Sequence, residues 1–425
     1  MNDDKTSDDH ERGAAGASRQ HTGAGDGADF RLRSVALSAY GPTVLEAMGY
    51  GASIPIVPLL ARQLGASVQL AAFIVALLGL GQLVCSVPAG TLIARVGERA
   101  AMVTASAIGV VVALAAAAAP NLMALGVAIF VMGMTWSVFL LSRQGFMIDA
   151  VPPHLRARAL STLGGSHRIG LFLGPILAAP LILAYGVRST LVLSAILSGL
   201  ALLLILGVPD LGGDARAEGR ADPASVWTVL RAHRHTLATL GLGVTAINGL
   251  RALRISVVPL WADHISLAPA QVSLLFAISS LVEIAIFYPA GWVMDRRGRV
   301  WVAVPTALLL GAGLALLPLA RTFDALLAVT ALMAIGNGLG SGIVMTLGAD
   351  TAPRVHRAKY LGGWRLVGDL GGSGGPLALS GLVALAGLSA AVVSLGTVGM
   401  LAAGWVGWWV ASLDRSRRGN ERMPT

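Results

Sequence analysis

The 425-residue chain is 55% hydrophobic and only 12% charged. A soluble domain carries about 25% charged residues, so this chain has too little charge to cover a water-facing surface, and its hydrophobicity excludes disorder of the whole chain. The net charge of +9 does not indicate a nucleic-acid partner, because the cations lie in the gaps between apolar runs, as they do in the loops of membrane proteins. A single cysteine, Cys85, allows neither a disulfide framework nor a cysteine-based metal cluster.

The chain begins with a polar segment and continues with twelve long apolar runs. Runs of about 20 apolar residues are long enough to cross a bilayer, and helices satisfy their own backbone groups there. We therefore predict twelve spanning helices, at 35–60, 69–93, 100–119, 122–147, 158–184, 189–208, 237–262, 270–294, 300–319, 323–348, 360–386 and 389–411. The predicted regions are a disordered cytoplasmic tail at 1–34, a six-helix half at 35–208, a central cytoplasmic loop at 209–236, a second six-helix half at 237–411 and a cytoplasmic tail at 412–425.

The connections between the runs differ in charge. One alternating set is rich in cations, such as Arg156 and Arg357, whereas the other set holds only Arg62, Arg188 and Arg321. Cytoplasmic loops carry the excess of Lys and Arg. The sequence therefore predicts an integral protein of the plasma (inner) membrane with both termini in the cytoplasm.

An internal repeat relates residue n to residue n+201. ProAlaGly at 88–90 matches ProAlaGly at 289–291, and Asp149 matches Asp350. One offset without gaps extends over five successive helices. This pattern predicts two homologous halves with the same orientation, related by a pseudo-twofold axis along the membrane normal.

The connection at 291–299 reads GlyTrpValMetAspArgArgGlyArg. It resembles the loop motif Gly-x-x-x-Asp-Arg-x-Gly-Arg of the major facilitator superfamily, although an ordinary basic loop is the alternative. Ala94 replaces the Asp in the degraded first copy. The candidate gating residues are Gly90, Arg95, Gly97, Gly291, Asp295, Arg296, Gly298 and Arg299, together with Asp149 and Asp350, which are interpreted as latches or, alternatively, as simple interface residues.

A second motif, Gly-x-x-x-Gly-Pro, lies in the fifth span and recurs in the eleventh. It resembles the fifth-helix motif of antiporters in the same superfamily. Small residues four positions apart also let helices approach closely, so generic packing is the alternative. The motif residues are Gly170, Gly174, Pro175, Gly371, Gly375 and Pro376.

Together the repeat and motifs resemble the superfamily over residues 35–411. The resemblance implies an all-α integral membrane protein of twelve transmembrane helices in two pseudo-symmetric halves (the MFS fold), with a central cavity and alternating access. We expect neither an enzyme nor a cofactor or metal site. We expect instead a secondary transporter in the lipid bilayer that functions as a monomer and carries a small molecule and protons. Proton-coupled efflux by antiport is the predicted activity. Import by symport and a non-transporting membrane sensor are the alternatives.

Charged residues within the spans are costly and are candidates for function. Glu46 lies near the middle of the first span and is the first candidate for proton binding, followed by Asp369 and Glu283. The alternative for Glu46 is permanent pairing with a structural arginine. The candidates for the substrate cavity are Tyr50, Asn248, Arg251 and Arg254; the last three share one helix face and have an ion-pair network as the alternative.

The resemblance to the superfamily implies that the fifth and eighth helices meet across the two halves. Because Arg168 and Glu283 lie at similar depths in these helices, we predict an ion pair between them. The repeat relates this pair to Asp369 facing Gln82, so that Asp369 has no fixed cation unless Arg365 supplies one. Arg143, near a helix end, is expected to extend its charge to the membrane surface.

Overall fold

The computed structural model describes residues 40–151, 155–208, 226–353 and 355–421. These residues form eleven helical segments long and apolar enough to cross a membrane, and the last segment consists of two helices that meet at Gly387. The described residues therefore contain twelve spanning helices, as predicted. They are α1 (Tyr40–Gln63), α2 (Val68–Val96), α3 (Glu98–Ala117), α4 (Leu122–Ala150), α5 (Arg156–Tyr185), α6 (Ser189–Gly207), α7 (Arg234–His264), α8 (Pro269–Arg297), α9 (Val300–Leu316), α10 (Phe323–Thr351), α11 (357–386) and α12 (388–421).

Two predicted boundaries differ from the structure. The segment Val226–Ala232 is a short helix, and α7 already begins at Arg234, within the predicted loop. Helix α12 continues through the predicted tail to Glu421. The predicted tail 1–34, and residues 209–225 and 422–425, lie outside the described part of the chain.

The turns between helices repeat with the sequence. Gly97 ends α2 with a φ of 87°, and its counterpart Gly298 ends α8 with a φ of 106°. Gly186 and Gly387 form a second such pair, each with a φ of 78°. Because positive φ is strained for residues with a side chain, both halves use glycine at the same two turns.

Two of the helices are interrupted. In α1, a 3₁₀ turn covers Ile54–Ile56, where Pro55 and Pro58 remove backbone donors. In α10, the α-helix stops at Leu339 and resumes at Ile343. In the intervening turn, the carbonyl of Gly340 accepts a hydrogen bond from the N–H of Ile343 at 3.2 Å and has a second lone pair for a donor on another helix.

The glycine motifs hold each half together. Helix α5 packs on α1, and a Cβ added to Gly170 or Gly174 would collide with the α1 backbone at Val44 or Met48. Helix α11 packs on α7 in the same way. There, Gly371 and Gly375 face the backbone at Thr245 and Gly249. The motif therefore joins equivalent helices within each half.

The two halves meet through α2 against α11 and through α8 against α5. On the side away from the chain termini, Ser380 donates a hydrogen bond to the carbonyl of Gln69 at 3.0 Å. On the same side, Arg62 at the end of α1 pairs with Asp263 at the end of α7, at 2.9 Å. Arg62 and Asp263 are themselves related by the 201-residue repeat, so this contact lies on the pseudo-twofold axis.

Candidate functional site

A central cavity of about 200 Å³ lies between the two halves. Its polar residues come from both halves, on α1, α2, α7 and α11. Apolar side chains, including Ile54, Val75 and Ile255, complete its wall. The polar lining residues are Tyr50, Gln82, Asn248, Arg251 and Asp369.

Arg251 is held in this cavity from two sides. Its Nη2 donates to the carbonyl of Gly340 at 2.5 Å, where the α10 helix is interrupted, and its Nη1 donates to Asn248 Oδ1 at 3.3 Å. Its Nε is buried without a partner among the described residues. The guanidinium is thus oriented with donor capacity to spare, as a ligand-binding arginine requires.

Asp369 and Gln82, which the repeat places opposite each other, both line this cavity. The Oδ2 of Asp369 accepts a hydrogen bond from Ser86 at 3.0 Å, and Arg365, one turn away on α11, lies close enough to interact electrostatically. Asp369 therefore has a hydroxyl as its direct partner and a cation nearby.

Glu46 lies in a separate pocket inside the first half. Ser106 on α3 donates to one carboxylate oxygen at 2.7 Å, and Ser198 on α6 donates to the other at 2.9 Å. A cavity of about 30 Å³ adjoins the carboxylate, which is room for a water molecule. The predicted alternative, permanent pairing with an arginine, is not the arrangement that the described residues form.

The second half has no counterpart of this pocket. The residues equivalent to Glu46, Ser106 and Ser198 are Ile247, Ala307 and Gly399, and both Ile247 and Ala307 are fully buried. Apolar packing thus fills the same place in the other repeat. The two serines were missed by the sequence interpretation, although the loss of hydroxyls at their repeat positions is a signal that points to them.

The predicted ion pair between Arg168 and Glu283 is wrong among the described residues. Glu283 pairs with Arg254 on the neighbouring helix of its own half and accepts a hydrogen bond from Asn337 at 2.8 Å. The guanidinium of Arg168 instead lies over the ring of Phe287, at 4.5 Å from its centroid. Helices α5 and α8 do pack together, but α7 offers Glu283 a nearer cation.

This pairing also changes the interpretation of Arg254. Its side chain is buried in the network with Glu283 and Asn337 and is not among the residues that line the central cavity. Arg254 is therefore a structural residue, whereas Asn248 and Arg251 on the same helix do line the cavity. Glu283, which has a fixed cation, is correspondingly a weaker candidate for carrying a proton.

The loop motif forms its ion pair at its last residue. Arg299 Nε donates to Asp350 Oδ2 at 2.9 Å and joins the start of α9 to the end of α10. Asp295 is exposed and has no ion pair within the described part of the chain, and Arg296 lies over the ring of Trp292 at 4.6 Å. The side chain of Asp149 lies outside the described residues.

In the first half, Arg95 is exposed and Glu98 occupies the position equivalent to Arg299. Because Glu98 and Asp149 have like charges, the Arg299–Asp350 pair has no possible repeat there. The neighbouring Arg99 donates instead to the carbonyl of Val208 at the end of α6, at 2.5 Å. Gly90 and Gly291 of the two copies each have open space at the position of a Cβ.

Two further interior residues, Arg143 and His167, differ from the sequence interpretation, the first in its burial and the second because it was not singled out. Arg143 is only 6% exposed, so it does not extend to the membrane surface as expected. His167 stacks near Trp136, with ring centroids 5.7 Å apart, and Trp136 stacks on Tyr50 at 4.3 Å. A row of aromatic rings thus leads from the central cavity to His167.

A fold of twelve spanning helices in two repeated halves around a polar cavity defines a membrane transporter. The sequence profile of the Major Facilitator Superfamily matches residues 43–253 and again residues 240–423. The chain therefore belongs to this superfamily, whose members are transporters.

Similar proteins agree with this assignment. Two uncharacterised MFS-type transporters from strains of Mycobacterium tuberculosis are each 26% identical over 362 residues, which cover 77% of this chain and 81% of the relative. A solved structure of a POT family transporter in complex with a thioalcohol-conjugated peptide has a TM-score of 0.76 at 13% identity and covers 90% of this chain and 96% of that one. A structure of the nucleoside transporter NupG has a TM-score of 0.69 at 13% identity, with 90% and 99% covered. These structures share the fold.

Proposed function

We propose that the protein is a secondary active transporter that exports a small organic molecule in exchange for protons, by alternating access. It is placed in the plasma membrane with both termini in the cytoplasm, following the distribution of loop cations. The single observation that carries the proposal is the pocket of Glu46.

The environment of Glu46 suits a carboxyl group that gains and loses a proton. An ionised carboxylate is costly away from water unless a cation compensates it, and the direct partners of Glu46 are the hydroxyls of Ser106 and Ser198. Hydroxyls can donate to a carboxylate and can also accept from a carboxylic acid, so they can satisfy both forms. A purely structural role would not require the group, since Ile247 packs in its place in the second half.

Tyr50 connects this pocket to the central cavity. It lines both cavities, and its ring stacks on Trp136. A ligand that moves Tyr50 therefore changes the access of water to Glu46. This is the coupling that exchange of substrate for proton requires: the two sites need not overlap, but their occupancies must influence each other.

The direction of transport is supported by the Gly170–Pro175 motif, which resembles that of antiporters. Import by symport is the second candidate, because the same carboxyl group could serve it. In either case the halves must rock about their interface, which in this conformation is closed at the Arg62–Asp263 pair.

The test uses purified protein in proteoliposomes with a pH-sensitive dye inside. The liposomes are loaded with one of three probes of similar size that differ in charge: naphthalenesulfonate (anion), naphthalenesulfonamide (neutral) or trimethylnaphthylammonium (cation). Dilution then drives the probe outward. Antiport predicts acidification of the lumen with at least one probe, loss of this signal in Glu46→Gln, and its retention in the matched control Asp324→Asn, which changes an exposed carboxylate at the start of α10.

The sign of the signal separates the alternatives. Alkalinisation of the lumen during probe efflux would establish symport. Probe efflux with no proton movement, equal in wild type and Glu46→Gln, would show that Glu46 does not couple transport to protons.

Orientation is tested separately. A cysteine introduced in the 209–225 segment, in a Cys85→Ser background, should resist an impermeant thiol reagent in intact cells and react after the membrane is opened. Ready labelling of intact cells would place the loop, and with it the termini, on the outside.

A further inference from the structure

The interior of the transporter carries more positive than negative charge. More than one helical turn from the ends of the membrane spans, the described charged residues are five arginines and three carboxylates, all of them buried or partly buried. One arginine and one carboxylate, Arg254 and Glu283, neutralise each other, and Glu46 lies in its own pocket. The arginines are Arg143, Arg168, Arg251, Arg254 and Arg365, and the carboxylates are Glu46, Glu283 and Asp369.

Several of these donors are buried without a hydrogen-bond partner among the described residues. They are Nε and Nη1 of Arg143 and Nε of Arg251; Nδ1 of His167, a donor or an acceptor according to the tautomer, is likewise buried without a partner there. A buried donor that has no partner is costly, and such groups call for an explanation. Asp369, the one carboxylate in the central cavity wall, is bonded to Ser86 and does not satisfy them.

The unpartnered groups are connected to the central cavity either directly or through neighbouring side chains. Arg143 follows Trp136 by about two helical turns, so both lie on one face of α4, and Trp136 contacts both Tyr50 and His167. On α11, Arg365 lies one turn before Asp369, which lines the cavity, and Arg143 is an electrostatic neighbour of both Arg365 and His167. Arg251 is therefore the arginine among the described lining residues of the cavity, and Arg143 and Arg365 lie behind it, toward the side of the chain termini.

We infer that the substrate is an organic anion with a small apolar or aromatic body. Its acidic group would lie against Arg251, which lines the cavity and whose planar guanidinium suits carboxylate or sulfonate oxygens. The charge of Arg143, deeper in the same interior, would add attraction at longer range. Its body would lie against Tyr50, Ile54 and Ile255, which form the apolar part of the cavity wall. An organic cation would instead face guanidinium groups on two helices with only Asp369 to attract it.

This inference rests on the proposed transport function, of which it names the substrate class, but it is tested by binding alone. The protein is placed in nanodiscs of phosphatidylcholine, where no gradient exists, and the same three naphthalene probes are measured by equilibrium dialysis. We expect the sulfonate to bind about tenfold or more tightly than the sulfonamide and the ammonium, because hydrogen bonds to charged groups are the stronger ones.

The variant Arg251→Gln should weaken sulfonate binding by about tenfold, and Arg143→Gln by a smaller factor because it acts at longer range; both should leave binding of the neutral probe within a factor of about two. Arg321→Gln is the matched control, since it removes an exposed arginine on the opposite side and should change nothing. Two variants are used so that misfolding of one, seen by size-exclusion chromatography, does not remove the test.

Two results would overturn the inference. One is binding of the ammonium as tight as, or tighter than, that of the sulfonate. The other is no detectable sulfonate binding with a Kd below about 1 mM, or sulfonate binding that is unchanged in both variants. If sulfonate binding fails these tests but proton movement depends on Glu46, the substrate class alone is refuted. If the sulfonate binds but its transport is not coupled to protons, the antiport mechanism alone is refuted.

Discussion

The buried pair of Arg254 and Glu283 allows a sharp test of the interior electrostatics. Both side chains are almost inaccessible, at 8% and 11% exposure, and Asn337 donates to the second oxygen of the carboxylate. The perturbation consists of Arg254→Met, Glu283→Gln and the double variant. Each single change leaves the charge of the remaining partner buried without its counterion. The double variant leaves no charge, and its glutamine can still accept a hydrogen bond from Asn337.

Breaking a buried pair from one side costs about 3–5 kcal/mol, while replacing both partners is often nearly neutral. At about 2.1 cal/mol/K of unfolding entropy per residue, each kcal/mol lowers the midpoint of a chain of 425 residues by about 1 °C. The single variants should therefore unfold about 3–5 °C below wild type, and the double variant should lie above both. The Arg62–Asp263 pair is about one-third exposed, and the same cycle there should yield a coupling of about 0–1 kcal/mol.

The assay is thermal unfolding in detergent, analysed as a double-mutant cycle. Additive destabilisation in the double variant would show that Arg254 and Glu283 do not interact. A second cycle with Arg168→Met and Glu283→Gln should give a smaller coupling, because Arg168 lies over Phe287 and interacts with Glu283 electrostatically but without an ion pair. A larger coupling in that second cycle would restore the pairing expected from helix depth.

Three further predictions concern other parts of the molecule. Gly174→Val should abolish folded protein, because its Cβ would meet the α1 backbone. The control Gly164→Val in the same helix should be recovered at normal yield, because a Cβ there meets nothing within 4 Å. Equal yields of the two variants by fluorescence-detected chromatography would contradict the packing. Arg62→Gln should favour opening away from the termini, seen as faster labelling of a cysteine placed at Ile54; unchanged labelling would exclude a gating role. Asp295→Ala should reduce transport several-fold at unchanged expression if the loop motif acts in gating, while full activity would leave it only a topological role.

Much of the architecture was readable from local chemistry. Twelve apolar runs predict twelve helices because each span must satisfy its own backbone in hydrocarbon, and this holds without knowing the neighbours. The 201-residue repeat relates the position of Asp369 to that of Arg168, and it predicted that Asp369 would face Gln82; both residues line the central cavity. The repeat also relates the two pairs of turn glycines that have a positive φ. These glycines can be found from the sequence because the preference for positive φ is a property of the single residue. The limits of the central loop and the last tail were less accurate, since polar segments next to a span can still be helical.

The partners of the buried charges depended on the tertiary structure. Depth along a helix follows from residue number, but the direction of a side chain depends on helix rotation and on which neighbour is nearer. Glu283 therefore pairs with Arg254 rather than Arg168, and Arg143 turns inward rather than to the surface. The sequence by itself determined the number of helices, the repeat and the presence of costly interior charges. Only the packed helices decided which charges neutralise each other, because electrostatic compensation in a medium of low dielectric is effective only over a few ångströms.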